Sequence, residues 1–265
     1  SGEGATMSQV ETEIAEQPGA LARLLKEGRA AAEETAARVR AYGPRYVVIA
    51  ARGSSDNAAR YAQYLFGAHN RLAVCLATPS LFTFYDAAPS LAGALVIGVS
   101  QSGQSPDIVA VVESGRKQGA LTLAITNRPG SPLAAAAEHT LPLLAGEERA
   151  VAATKTYTAS LAAVAALVSA IAGDPDRARE LERVPGFLAA QPDPYRRKIL
   201  HRYTIWHLLR RLRGRNHGRP TSRQQALRIR SHARAATAFL NWLETHNLTL
   251  SGCTQADLDR WRSDD

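Results

Sequence analysis

Cysteine is nearly missing from this 265-residue chain; Cys75 and Cys253 are the whole complement. Two thiols cannot build a disulfide framework, so the expected compartment is a reducing one. Long hydrophobic runs are missing as well. Polar residues break every apolar stretch before the roughly 18 residues that cross a bilayer, so no membrane partner is expected. The opening SGEGATMSQVETEIAE has no basic segment followed by an apolar one. No export signal is visible in it, and the cytoplasm is the expected location. What is present is ordinary for a globular protein: 45% hydrophobic and 21% charged residues. That is enough for a sizeable core, in one large domain or two small ones.

The net charge of +8 is unevenly spread. Residues 195–265 hold 15 basic and 5 acidic side chains, a net of +10, whereas residues 1–194 hold 17 and 19, a net of −2. Such a break predicts two modules with different partners. High-GC coding accounts for Arg in place of Lys but not for its concentration at one end. The expected division is a disordered start at 1–10, a first domain over 11–192 and a basic helical domain over 195–265.

In the first domain, Leu21–Tyr42 has helical composition and stops at Gly43-Pro44. Short apolar runs suited to buried strands follow at Tyr46–Ala51, Leu72–Ala77, Ala94–Ser100, Ala120–Thr126 and His139–Leu143. Helix-like stretches separate them at Asp56–Gly67, Ser105–Gly119 and Ser131–Ala137, and Thr154–Ala172 reads as a long Ala-rich helix. Buried strands alternating with helices predict an α/β fold, a three-layer α/β/α sandwich with a five-stranded parallel sheet. Ligands of such sheets bind beyond the carboxyl ends of the strands.

The loops there are unusual. After the first strand comes Arg52-Gly53-Ser54-Ser55-Asp56-Asn57, and after the third Ser100-Gln101-Ser102-Gly103-Gln104-Ser105-Pro106-Asp107. Each sets hydroxyls and a glycine between a strand end and a helix start, where main-chain N–H groups and the helix dipole favour an anion. Neither loop ends in the Gly-Lys-Ser/Thr of a nucleotide phosphate loop, and no G-x-G-x-x-G is present. A phosphate on a small polyol fits better than a nucleotide, with no metal and no cofactor. The plainer alternative is helix capping by Asp56 and Ser105, with Pro106 at the first helical position.

SQSGQSPD, with RGSSDNAA 48 residues earlier and AGEERAVAATKTYTASL 45 later, resembles the sugar isomerase (SIS) domain. It is most similar to the first SIS domain of the isomerase half of glucosamine-6-phosphate synthase, whose opening helix ETEIAEQPGALARLL also resembles. The resemblance implies a flavodoxin-like fold that binds a phosphorylated hexose or amino sugar, usually as a homodimer. It assigns phosphate contacts to Ser100, Gln101, Ser102, Gly103 and Ser105, and phosphate or sugar-hydroxyl contacts to Ser54 and Ser55. Val151 matches a position whose main chain touches the sugar, and Lys155 a segment that lines the same site. Ala153 stands where the family has Ser, and Arg52 where it has Cys or another small residue. In that family a second SIS domain supplies the catalytic Glu, His and Lys, and a separate domain the glutaminase Cys. No counterpart of either occurs in these residues. The expectation is therefore sugar-phosphate binding without complete catalytic machinery. Two alternatives stand beside it: a DNA-binding protein that uses the basic helical domain, with the SIS domain as sugar-phosphate sensor or dimerisation unit, and an isomerase or deglycase completed by a partner subunit. His69 and His139 are expected to be core or surface histidines.

After Pro192-Asp193-Pro194, residues 196–213 read as a helix with Ile199, Tyr203, Trp206, Leu209 and Leu212 on one stripe. Ile229, Ala233, Ala236, Leu240 and Leu243 mark a second helix, and Gln255–Trp261 a third. The rhythm FLNWL…CTQADLDRW resembles the core-binding (SAM-like) helical domain of tyrosine recombinases and phage integrases. That implies DNA contacts through the backbone phosphates, carried here by Arg223, Arg230 and Arg234.

Overall fold

The computed structural model describes residues 8–150, 152–190, 223–248, 250 and 252–264. The chain divides into two compact units, Ser1–Ala190 and Gln191–Asp265. The first unit is built on five strands: β1 Tyr46–Ala51, β2 Ala73–Leu76, β3 Ala94–Val99, β4 Leu121–Thr126 and β5 His139–Pro142. They pair in the order β2-β1-β3-β4-β5, every neighbour parallel, with Tyr46 opposite both Ala73 and Ala94. All six residues of β3 are buried, which is why its sequence ALVIGV carries no polar alternation.

The period of two along each strand divides the core. Val47, Ile49, Leu95, Ile97, Leu123 and Ile125 face one helical layer, and Val48, Ala50, Val96 and Ala124 face the other. The first layer contains α2 Gln17–Glu27, α3 Arg29–Tyr42, α4 Ser54–Leu65 and α8 Lys155–Ala172; the second contains α6 Pro106–Lys117 and α7 Pro132–Ala136. This is the expected three-layer sandwich. Short helices α1 Gln9–Ala15, α5 Ser80–Thr83, α9 Pro175–Glu182 and α10 Val184–Ala189 complete the unit.

Several local expectations need correction. The single helix over Leu21–Tyr42 is two helices that meet at Gly28, which ends α2 through its N–H to Leu24 O (2.8 Å) and opens α3. Gln9 and Val10, assigned to a disordered start, lie in α1, where Ser8 and Glu11 form a reciprocal capping box. α4 does not stop at Gly67 but passes into a π-helical turn, Phe66–Asn70, closed by Arg71 at φ 59°. α8 is 18 residues long with a mean hydropathy of 1.4, long and apolar enough to cross a membrane, contrary to the reading of the sequence. It packs against α2, α3 and α4 as a core helix.

In the second unit α11 Arg223–Thr245 and α12 Gln255–Asp264 are helical, with Leu240 and Leu243 buried and the Phe239 ring 4.9 Å from that of Trp261. Thr254 caps α12. Asp257 accepts its N–H (2.8 Å) and hydroxyl (2.6 Å) and pairs with Arg260, which together bring the Asp257 carboxyl down to about 2. The expected helix at 196–213 lies outside the described residues. Arg223, Arg230 and Arg234 fall on α11, their side chains likewise outside the description.

Candidate functional site

Parallel strands end at one edge, so the helices that follow them begin there: α4 after β1, α6 after β3 and α8 after β5. β1 and β3 are neighbours, but α4 leaves into one layer and α6 into the other, which opens a crevice between their loops. The dipoles of α4 and α6 both point their positive ends at this crevice.

Gly53 is the N-cap of α4 at φ 58°, ψ −129°, a conformation that glycine adopts freely. The N–H of Ser55 donates to Arg52 O and that of Asp56 to Gly53 O, both at 3.2 Å. Asp56 is therefore inside the first turn rather than at the cap, and it pairs with Arg60 at 3.0 Å. Ser54 is exposed and Ser55 half-buried at the rim.

The second loop is held from below. Ser100 extends the ladder through its N–H to Ile125 O (3.1 Å), and Gln101 O accepts from Asn127 N (3.1 Å) and the Thr126 hydroxyl (3.3 Å). Ser100 Oγ accepts from Gly103 N (3.2 Å), and Ser102 Oγ from Gln104 N (3.3 Å). A serine oxygen that accepts one bond still has its own proton to donate. Gly103, at φ 62°, lies so close to Ser131 and Thr126 that a Cβ would stand 2.5 Å from Ser131 Cβ. Ser105 occupies the N-cap of α6 with extended backbone (φ −69°, ψ 109°), yet its hydroxyl makes no capping bond. The capping alternative therefore fails for both loops at the level of side chains.

The third loop, between β5 and α8, is closed by its own carboxylates. Glu148 accepts from Thr154 N (2.8 Å), the Thr154 hydroxyl (3.1 Å), Thr156 N (3.2 Å) and the Thr156 hydroxyl. It thus meets two of the N–H groups at the α8 N-terminus, whereas no N-cap side chain bonds the first turn of α4 or α6. Glu147 pairs with Arg149 at 2.7 Å. Glu13 of α1, 1% exposed, accepts from Arg149 N (2.6 Å), Ala150 N (3.1 Å) and the Gln9 amide (3.1 Å). Burial pushes the Glu13 carboxyl up, but these bonds and the nearby Lys155 ammonium outweigh it and hold the group below its usual value. Lys155 is buried, with its ammonium on Glu16. Asn127 links this loop to the second, accepting from Ala145 N (3.0 Å) and donating to Gly146 O (2.7 Å). Val151 lies outside the described residues.

His139 opens β5 and His69 follows α4, so both stand at the amino edge of the sheet, opposite the crevice. Burial and the charges of Arg177 and Arg71 hold the His69 imidazole below its usual value, against the opposing effect of Asp174. A cavity of 540 Å³ between α2, α3, α8 and α9 has Leu24, Arg40, Ala163 and Glu182 in its wall and touches neither loop.

Residues 42–170 match the family model of the SIS domain. This segment is a SIS domain. A structure provisionally assigned as a phosphosugar isomerase from Silicibacter pomeroyi is 40% identical, with a TM-score of 0.68 over 69% of this chain and 56% of that one. The isomerising glutamine–fructose-6-phosphate aminotransferase of Aeropyrum pernix is 36% identical over 197 residues, which are 71% of this chain and 31% of that enzyme. The Bradyrhizobium diazoefficiens enzyme is 38% identical over 122 residues, or 46% of this chain and 20% of that enzyme. The chain thus spans less than a third of these curated relatives. Its SIS domain is related to their isomerase half. The family match ends at residue 170.

Of the residues anticipated from sequence, Ser54, Ser55, Ser100, Gln101, Ser102, Gly103 and Ser105 fall on the two lips of one crevice. Lys155 opens α8 at the same edge, already paired. Glu13, Glu16, Asn127 and Thr126 went unnoticed. Nothing local marks Glu13 or Glu16 as part of the third loop, because the loop main chain and the lysine they meet lie more than 130 residues away.

Proposed function

We propose that the SIS domain binds a phosphorylated hexose or amino sugar at the carboxyl edge between β1 and β3. Ser100, Gln101, Ser102, Gly103 and Ser105 hold the phosphate, while Ser54 and Ser55 meet phosphate or sugar hydroxyls. The observation that carries this reading is the Ser105 hydroxyl, free of any capping bond at the N-terminus of α6. It is supported by the Ser100 and Ser102 hydroxyls, which among the described residues act only as acceptors, and by the likeness to proteins named for phosphosugar isomerisation and fructose-6-phosphate amination. Isomerising a sugar needs a base beside C1 and C2 and a donor for the ring oxygen. Among the described residues the nearby carboxylates are engaged: Glu148 by α8, Glu13 by the 149–150 main chain and Asp56 by Arg60. The role proposed is binding, with catalysis dependent on groups from elsewhere.

Thermal shift with fructose-6-phosphate and glucosamine-6-phosphate at millimolar concentration tests this. Saturating ligand at about 100 times Kd stabilises by roughly 2.7 kcal/mol. A Ser102→Ala/Ser105→Ala variant is expected to lose most of the shift. Equal shifts in both proteins, or none in either, refute the proposal.

A further inference from the structure

The first unit is nearly neutral by sequence, so the crevice should hold its anion with hydroxyls and amides alone; Arg52 breaks that pattern. It follows β1 at the carboxyl edge, and its Nη1 lies 2.9 Å from Asp107 Oδ2 across the crevice. Asp107 sits in the first turn of α6, immediately after the serine loop. Its other oxygen, Oδ1, accepts the N–H of Ile108 at 3.1 Å. The carboxylate is thus fixed at both ends, while the Arg52 side chain remains 69% exposed. An ion pair this exposed contributes little to stability. Its geometric consequence is larger, because it holds a guanidinium over the gap between the two lips. One nitrogen faces Asp107, and among the described residues Nε and Nη2 have no partner.

We propose that Arg52 is a specificity-determining residue of the sugar-phosphate site, contacting the phosphate directly while Asp107 fixes its direction. The assignment rests on the reading of the crevice above and adds its charge chemistry. A phosphate monoester carries about −1.5 to −2 at neutral pH. Without Arg52, the Asp107 carboxylate would stand beside that charge at the end of the same helix and repel it. With Arg52, the lip presents planar N–H donors matched to two phosphate oxygens. The site therefore selects a dianionic phosphate over an uncharged sugar.

Calorimetric titration of the full chain with glucosamine-6-phosphate and with inorganic phosphate tests this, using Arg52→Ala, Arg52→Lys, Asp107→Asn and the Arg52→Ala/Asp107→Asn double variant. Losing charge-assisted bonds should weaken Arg52→Ala about ten- to a hundredfold for both ligands. Arg52→Lys should fall between it and the parent, and the loss should persist in the Asp107→Asn background. Unchanged affinity in Arg52→Ala overturns the assignment. So does a loss that vanishes once Asp107 is neutral, since Arg52 would then act only by masking that carboxylate. A parent chain that binds neither ligand overturns the sugar-phosphate reading itself, and this assignment with it.

Discussion

Replacing Glu13 by Ala tests whether α1 holds the third loop in place. The carboxylate accepts the main-chain N–H groups of Arg149 and Ala150, immediately before Val151, together with the Gln9 amide. Hydrogen bonds to a charged acceptor contribute about 1.5–3 kcal/mol each, and stranding a buried donor costs about 1–3. Arg149 is exposed and Ala150 only half-buried, so water will satisfy part of what is lost. The expected destabilisation is about 2–4 kcal/mol rather than the full sum. For a unit of this size that lowers Tm by roughly 4–16 °C. Glu13→Gln keeps an oxygen acceptor and should lose about half as much. The assay is thermal unfolding combined with amide exchange at 149 and 150, which should accelerate in both variants. The pH dependence has a fixed sign. A carboxyl held below its usual value stabilises the fold fully above that usual value and loses the contribution as pH falls through the lowered one. Parent and Glu13→Gln should therefore converge in acid and diverge toward neutrality. A Glu13→Ala protein that melts within a degree or two of the parent, with unchanged exchange at 149 and 150, refutes the reasoning.

Two further outcomes are expected. Gly103→Ala places a methyl against Ser131 at φ 62°, combining left-handed strain with overpacking, for a destabilisation of about 2–5 kcal/mol and loss of sugar-phosphate binding; a normal melt with retained binding refutes the tight-loop account. A DNA role for residues 195–265 rests on their net charge of +10 alone, and it predicts duplex affinity that falls steeply across a salt series. Affinity that stays flat with salt, or that survives removal of 195–265, removes the argument.

The sheet and the two candidate loops were legible because each depends on local pattern: five apolar runs of strand length and two Gly-Ser clusters at strand ends. The break at Gly28 was missed because glycine there keeps a right-handed helical φ of −81° and leaves no turn signature. α9 was overlooked although Asp174-Pro175 announces it: Asp174 accepts from Asp176 N and Arg177 N, and proline holds the first helical position. Ser105 was correctly placed at a helix start, but sequence alone could not say whether its hydroxyl turns inward to cap or stays free. The Arg52–Asp107 pair was illegible for another reason. It joins the loop after β1 to the first turn of α6, 55 residues on, and only the adjacency of β1 and β3 brings them together.

The tie between Glu13 and the 149–150 main chain also sets an order of assembly. It joins residues 136 and 137 positions apart, among the longest-range polar contacts of the unit. At a synthesis rate of about 5–20 residues per second, α1 is made roughly 7–27 s before the groups that anchor it exist. The sheet, the serine loop and the crevice between β1 and β3 draw on residues made in that interval. α1 is then made before the groups that fix it, and it closes the third loop behind a crevice whose residues are already made.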